Sequence, residues 1–254
     1  MNRNFVIPEL NITWSLAPYD PRLDDSAVQV WAASLAVPSE MIAAWTVVLS
    51  SDERLRAGRF RSATDRDRFI AAHGILHSIL ASYLNTDPAK VGFQFGPRGK
   101  PLLEGPPYWL HFNLAHSGDL ALVAVSRCCP VGVDVELIRP MNDAQDIAAR
   151  FFSRREAREL EGLPLNQQGE GFFNLWTRKE ACLKATGEGL SERLSSVEVT
   201  FIPGRPARLV QFPGESDACP PWTLAELRPA TMYVGALAAP TAGLRLSCWR
   251  WPAS

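Results

Sequence analysis

The feature that most constrains the fold is a segment, residues 131–137, in which apolar residues alternate with a glycine and two acids. It reads Val-Gly-Val-Asp-Val-Glu-Leu. Because the side chains of a β-strand alternate between its faces, the apolar residues line one face, and Gly132, Asp134 and Glu136 share the other. Two carboxylates roughly 5 Å apart repel each other by about 3 kcal/mol at an effective dielectric constant near 20. The strand therefore requires that its acidic face is solvated, that one acid is protonated, or that a cation binds between them.

A second segment, residues 172–187, is rich in helix formers and ends at Gly187, a residue typical of a helix C-terminus. At about 100° per residue, Trp176, Glu180 and Lys184 fall on one broad face of such a helix. Alone, this is an ordinary amphipathic helix with a Glu–Lys pair, which contributes about a few tenths of a kcal/mol. A solvated outer face would likewise explain the acidic strand, so neither segment by itself indicates a function.

Together the two segments resemble the paired motif of the 4′-phosphopantetheinyl transferases. Their length and separation match the Sfp-type branch, which activates surfactin synthetase, and Lys179-Glu180-Ala181 matches its W/KEA variant. Two upstream stretches agree with the resemblance: Arg-Gly-Lys-Pro at residues 98–101 and Phe-Asn-Leu-Ala-His-Ser-Gly at residues 112–118. The resemblance covers roughly residues 45 to 200, with four motifs in the order of the family.

The pattern along the chain predicts an α+β fold made of two similar α/β halves. Helical patterns cover residues 51–85, with the second of two pieces at 67–84, and strand patterns follow at 109–114 and 120–125. After the acidic strand the order recurs, with helical residues 147–160, a loop at 164–171, the helix described above, a strand at 196–201 and final strands at 222–227, 233–238 and 244–249. We expect one half at residues 1–128 and the other at 129–254. The resemblance implies that a pseudo-twofold relates the halves and that the active site lies in the cleft between them.

Composition restricts the possible partners and compartments. A net charge of −1 argues against broad nucleic-acid binding, which needs a surplus of basic residues. The five cysteines are odd in number and lack Cys-x-x-Cys spacing, so neither a disulfide framework nor a zinc site is indicated. No stretch is apolar and long enough for a signal peptide or a membrane span. We therefore expect a cytoplasmic protein that binds neither nucleic acid nor membranes.

The resemblance implies that coenzyme A is the donor, so cations should converge on its phosphates. The residues that match the family's coenzyme-binding positions, or are adjacent to them, are Arg56, Arg98, Lys100, Asn113, His116 and Lys184, with Arg68 as a second arginine candidate. Lys100 lies in a Gly-Lys-Pro turn, which should present its ammonium group. Two departures leave the affinity for coenzyme A open: Ala115 stands where many members carry serine, and His77 where arginine is frequent.

The resemblance also implies Mg²⁺ held by Asp134, Glu136 and Glu180, since hard oxygen ligands suit this ion. A serine hydroxyl of an apo carrier protein would attack the β-phosphorus of coenzyme A, and 3′,5′-ADP would leave. Glu180, directly or through a water, would take the serine proton, and Lys184 would neutralise charge on the departing phosphate. Lys179 is either a helper cation or an exposed helix residue, and Trp176 is either a core anchor or a contact.

The acceptor is expected to be an acidic acyl, peptidyl or aryl carrier protein, whose pathway stays open. Residues 139–155 could dock it through Met141, Ile147, Phe151, Arg154 and Arg155, or could form an ordinary helix that packs inward. Because the acids and the basic residues come from one chain, we expect a monomer. Two alternatives remain: a non-catalytic module that binds coenzyme A or carrier protein, and a metal-dependent phosphohydrolase.

Overall fold

The structure is a computed structural model that describes residues 12–106, 109–187, 194–213 and 221–252. Its strands are β1 (Trp14–Leu16), β2 (Ala27–Ser34), β3 (Phe93–Phe95), β4 (Pro101–Leu103), β5 (His111–Ser117), β6 (Leu120–Ser126), β7 (Gly132–Leu137), β8 (Glu198–Val199), β9 (Leu209–Gln211), β10 (Thr223–Leu227), β11 (Tyr233–Ala239) and β12 (Arg245–Arg250). Its α-helices are α1 (Ser39–Val48), α2 (Ser51–Ala57), α3 (Ala63–Leu84), α4 (Ala144–Phe151), α5 (Arg154–Glu161) and α6 (Leu165–Thr186). The N-terminal residues 1–11, in which no signal peptide is predicted, lie outside the described residues.

The larger sheet has the strand order β1-β12-β2-β6-β5. Neighbours among β2, β6 and β5 pair antiparallel, whereas β12 runs parallel to both of its neighbours. The 22-residue helix α3 begins after the cap residue Ser62 and ends at Asn85, which has a left-handed conformation. Its apolar residues, such as Ile75 and Ile79, share one core with Trp31 and Val123 of the sheet.

The smaller sheet has the order β10-β11-β7, is antiparallel, and packs against the long helix α6. Gly132 allows the close approach of α6 to β7. A Cβ atom at this position would lie 2.0 Å from the carbonyl oxygen of Ala181 and 2.4 Å from the nitrogen of Ala185. The predicted glycine–acid face of β7 is therefore confirmed as the face that α6 covers.

The mixed α/β fold is confirmed, and the order of its elements is repeated along the chain. Each series starts with a strand (β2 or β7), two shorter helices and a 22-residue helix, and continues with a two-stranded hairpin and two further strands. Within the sheets the repeated strands have matching orders, β2-β6-β5 and β7-β11-β10. The last strand, β12, belongs by sequence to the second predicted half but pairs with β1 and β2 of the first.

Some predicted boundaries are wrong. The loop predicted at residues 164–171 is the first part of α6, where Gly171 packs against the side chains of Leu160, Leu163 and Phe201. The single helix predicted at 147–160 is broken into α4 and α5, because Ser153 caps a new helix. The strand predicted at 196–201 is only β8. Among the described residues, no helix is both long enough and apolar enough to cross a bilayer.

Candidate active site

Three acids converge where α6 crosses β7. Asp134 and Glu136 lie on the strand, and Glu180 lies on the helix. Asp134 is 6% exposed and Glu180 is 2% exposed. Asp134 Oδ2 and Glu180 Oε1 are buried and have no hydrogen-bond partner. Glu136 is less buried, and the hydroxyl of Ser117 donates a hydrogen bond to its Oε2 atom at 2.6 Å.

Burial makes negative charge unfavourable at this position. It raises the pKa of Asp134 and the pKa of Glu136 above their ordinary values, and the charge of Asp134 raises that of Glu136 further. Burial and the charges of Asp134 and Glu136 raise the pKa of Glu180 to about 8. A cation bound between these acids would therefore gain favourable interactions with all three.

Lys184 provides part of that positive charge. Its Nζ atom donates to Asp134 Oδ1 at 2.6 Å and contacts the carbonyl oxygen of Val133 at 3.4 Å. Within the described ranges, no group of three or more carboxylate, histidine or cysteine side chains has the spacing of a metal site. The donor set nevertheless fits a hard cation, because the acids are oxygen ligands and two of their buried oxygens lack partners.

Basic side chains from several elements act electrostatically on His116 of β5. Desolvation lowers the pKa of His116, and the positive charges of His73, Lys184, Arg56 and Arg68 lower it further. The structure thus brings Arg56, His116 and Lys184 near one another, as the coenzyme prediction requires. Arg68 also forms ion pairs with Asp119 at 2.8 Å and Asp65 at 3.4 Å.

Lys100 differs from the expectation that its turn presents a free ammonium group. Its Nζ atom donates to the carbonyl oxygens of Val131, Lys184 and Ala185 at 3.1, 2.6 and 2.9 Å. The last two carbonyls belong to the final turn of α6, so Lys100 caps the C-terminus of this helix. Burial lowers the pKa of Lys100 to about 8.

A pocket of about 360 Å³ lies beside this lysine. It extends between the β3–β4 hairpin, β5 and the end of α6, and its lining includes Arg98, Lys100, His111 and Gly187. Two of the predicted coenzyme residues therefore border one cavity.

Asn113 is buried, and its Oδ1 atom accepts a hydrogen bond from the backbone N–H of Val133 at 2.8 Å. The side chain therefore joins β5 to β7 directly beside the acids. A coenzyme contact by Asn113 stays a prediction, whereas its role in holding the two strands together is visible.

Lys179 is not an exposed helix residue, so that alternative is wrong. The residue is fully buried, and its Nζ atom pairs with Glu156 at 2.6 Å and donates to the carbonyl oxygens of Leu194 and Val197. A motif on one helix could not reveal these partners, which come from α5 and from residues 194–197. Trp176 is a core anchor, because its ring stacks on Phe172 with centroids 6.1 Å apart.

The proposed docking segment is divided between the core and the surface. Met141, Ile147 and Phe151 are partly buried against the core of the smaller sheet, which supports the inward-packing alternative for the apolar residues. Arg154 is exposed, and Arg155 forms ion pairs with Glu159 and Glu198.

Roles for three residues were not predicted from the sequence. They are Ser117, which lies in the motif at residues 112–118, and the buried glutamates Glu53 and Glu156. A signal for the glutamates existed, since Ser-x-x-Glu at residues 50–53 and 153–156 matches the capping box that starts a helix. What it could not predict is that both carboxylates also bind a long helix.

Buried acids beside basic side chains suit the binding of a ligand that carries phosphate groups. The chain belongs to the 4′-phosphopantetheinyl transferase superfamily, which matches residues 130–236, and residues 31–128 match the family described as 4′-phosphopantetheinyl transferase, N-terminal. The activity of the chain is phosphopantetheinyl transfer, as the sequence resemblance predicted.

Relatives named 4′-phosphopantetheinyl transferase support this assignment. The 4′-phosphopantetheinyl transferase HetI of a Nostoc species is 39% identical over 245 residues, which cover 95% of this chain and 100% of the relative. A putative 4′-phosphopantetheinyl transferase, slr0495 of a Synechocystis species, is 35% identical over 77% of the chain and 78% of its own length. The 4′-phosphopantetheinyl transferase Sfp of Bacillus subtilis is 31% identical over 59% of the chain and 66% of its own length.

Proposed function

We propose that the chain transfers the 4′-phosphopantetheine group of coenzyme A to a serine of an apo carrier protein, at the place where its acidic and basic groups meet. The observation that carries this proposal is the position of Lys184. Its ammonium group bonds Asp134 at 2.6 Å, and its charge also acts on His116. One lysine thus joins the acids of β7 and α6 to the basic residues on β5, α2 and α3. A diphosphate that is attacked at phosphorus needs both kinds of group close together.

The phosphates of coenzyme A would bind on the basic side of this arrangement. We assign the contacts to Arg56, Arg98, Lys100, Asn113, His116 and Lys184. Arg56 and His116 are exposed and can reach a ligand directly, whereas Lys100 and Asn113 would contribute mainly by fixing the backbone around β7 and α6. We propose that these residues line a cleft between the two repeated halves and that a pseudo-twofold relates the halves.

Asp134, Glu136 and Glu180 would hold Mg²⁺. When bound, the ion would neutralise charge on the phosphate oxygens. The chain's own groups have separate tasks. Glu180 would accept the serine proton in its ionised form, and its raised pKa of about 8 makes that carboxylate a stronger base than an ordinary glutamate. Lys184 stabilises the charge on the phosphate that departs with 3′,5′-ADP.

The transfer reaction is tested by mass spectrometry of several apo carrier proteins incubated with coenzyme A and Mg²⁺. A carrier that gains one phosphopantetheine group supports the proposal. Asp134→Ala should abolish this gain while the protein stays folded, because the acid face loses its central ligand. Calorimetric binding of coenzyme A without any mass change would instead support the non-catalytic binding module.

The coenzyme contacts have a separate test. Arg56→Ala and His116→Ala should each raise the KM for coenzyme A, with a loss of roughly 1–3 kcal/mol as a charged hydrogen bond disappears. Arg61→Ala is the matched control, because Arg61 is an exposed arginine of the same stretch that does not act on His116. Unchanged coenzyme binding in both variants would place the phosphates elsewhere.

The partner and the setting follow from the same chemistry. An acidic carrier protein would dock near exposed basic residues such as Arg154, and the identity of the carrier decides the pathway. A cytoplasmic location stays a prediction from the cysteine pattern. Cys128, Cys129 and Cys248 are free thiols, and Cys219 lies outside the described residues.

A further inference from the structure

Each of the two repeated series buries a glutamate at the start of a short helix. Glu53 lies in the first turn of α2, and Glu156 lies in the first turn of α5. Both complete a capping box with the serine three residues earlier, Ser50 or Ser153. A capping glutamate is usually exposed, because its task is only to accept a backbone N–H. These two are instead buried, so they have a second task.

The second task is to bind the long helix of the same series. Glu156 pairs with Lys179 of α6 at 2.6 Å, and Glu53 contacts His77 of α3 at 3.0 Å. Lys179 and His77 are each the fifteenth residue of a 22-residue helix. The two pairs therefore occupy equivalent positions in the repeated order of elements, with histidine in one and lysine in the other.

His77 is held on both sides of its ring. Its Nδ1 atom lies 2.9 Å from the carbonyl oxygen of Pro88, which can only accept, so Nδ1 donates there. Its Nε2 atom lies 3.0 Å from Glu53 Oε2. Burial raises the pKa of Glu53, but hydrogen bonds from His73, His77 and the backbone of Ser50 outweigh it and bring this pKa well below its usual range. Glu53 is therefore ionised, and His77 occupies the place that Lys179 has in the other pair.

This buried pair is connected to Arg56. Arg56 lies three residues after Glu53 on α2, and its guanidinium carbon lies 5.3 Å from the ring centroid of Phe69. The Phe69 ring lies against His73 with centroids 4.1 Å apart, and His73 Nδ1 lies 2.7 Å from Glu53 Oε1. The seven-residue helix α2 buries only Glu53 and Ala57, and so short a helix is not stable alone. Its position depends on what holds these two residues.

We propose that Glu53 and His77 form a positioning clamp that holds α2, and with it Arg56, at the coenzyme-binding face. The inference rests on the coenzyme contact proposed for Arg56. The clamp corresponds to the Glu156–Lys179 pair behind the acids, with one difference. In the clamp a histidine, not a lysine, binds the capping glutamate.

Groups from several elements enclose His77. Its ring faces Glu53 of α2, and His73, on its own helix, binds the same carboxylate. The turn after α3 contributes the carbonyl of Pro88, and β3 contributes the edge of the Phe93 ring, both uncharged. Loss of the His77 side chain would leave one oxygen of a buried carboxylate without its partner from α3.

The test compares the KM and the Kd for coenzyme A, and kcat, at a single pH. His77→Gln should raise the KM and the Kd roughly tenfold or more with little change in kcat, since a misplaced contact costs on that scale. His77→Lys should restore tight binding, because a lysine at the equivalent helix position binds the capping glutamate of the other series. Asp52→Asn is the matched control, because it removes a neighbouring exposed charge of α2 outside the clamp.

A double-mutant cycle with Arg56→Ala tests whether the clamp affects coenzyme binding through Arg56. If the clamp acts through Arg56, His77→Gln has almost no further effect on coenzyme binding in the Arg56→Ala background. If the effects of the two substitutions on coenzyme binding are additive, the clamp does not act through Arg56. An unchanged KM and Kd in a folded His77→Gln variant overturn the clamp. Calorimetric Kd values separate the proposals: a protein that binds coenzyme A but transfers nothing contradicts the proposed function alone. A protein that does not bind coenzyme A overturns both.

Discussion

Three carboxyl groups share the face between β7 and α6, and each is stabilised in a different way. Asp134 accepts a hydrogen bond from the ammonium group of Lys184, and Glu136 accepts one from the hydroxyl of Ser117. Glu180 has neither, and with a pKa of about 8 it holds its own proton at neutral pH. Lys184 thus reduces the repulsion that the sequence predicts between Asp134 and Glu136, and the proton on Glu180 keeps a third negative charge from being added. A metal ion would have to displace both.

Glu180 should make the stability of the protein depend on pH. Folding raises its pKa from 4.5 to about 8, so the folded state binds the proton more tightly over this interval. The stabilisation is complete below the unfolded pKa and is lost as the pH rises toward 8. Glu180→Gln resembles the protonated form at every pH. Without metal, we therefore expect its advantage in free energy of unfolding over the unmodified chain to grow by at least about 1.4 kcal/mol from about pH 5 to about pH 8.

Urea unfolding at both pH values measures this difference. Glu161→Gln, the same chemical change at an exposed position, should show no comparable dependence on pH. Parallel curves for Glu180→Gln and the unmodified chain would show that Glu180 is already ionised in the folded state.

At the scale of elements, the sequence predicted the features that depend on residues close together along the chain. The alternation in β7 and the Gly187 end of α6, where φ is 73°, could be recognised in the sequence. Nothing was predicted for β2, because it is buried along almost its whole length and has no polar face. Lys100 and Lys179 were misjudged for a related reason. Their ammonium groups bind carbonyls and acids from other elements, and no motif contains such partners.

Gly132 should be the most sensitive position of this interface. Gly132→Ala would place a methyl group against the backbone of α6, 2.0 Å from the carbonyl oxygen of Ala181. Because backbone cannot move aside like a flexible side chain, we expect a loss of about 3 kcal/mol in stability, together with lost transfer. Gly169→Ala, also in α6, meets nothing within 4 Å and should stabilise the helix by about 0.5–1 kcal/mol. Thermal unfolding of both variants tests this contrast. A change in stability at Gly132 as small as the change at Gly169 would contradict the close packing of α6 on β7.

For the whole molecule, the repeated series are joined in several places. A third core contains Val28 and Leu122 from the larger sheet and Val133 and Leu237 from the smaller one. The strand β12 returns from the end of the chain to the larger sheet. A division at residue 128 therefore describes the repeat in sequence, but packing continues across it.

The contacts across this division predict that one chain contains a complete site. Lys100 reaches the carbonyls of α6, Asn113 bonds the backbone of β7, and Ser117 bonds Glu136. These bonds hold the basic residues of the first series against the acids of the second, so a second copy has nothing essential to add. We expect specific activity to stay constant on dilution while light scattering reports the mass of one chain. Activity that falls as a larger species dissociates would instead show that two chains share the site, as if the repeated series still worked as a pair of subunits.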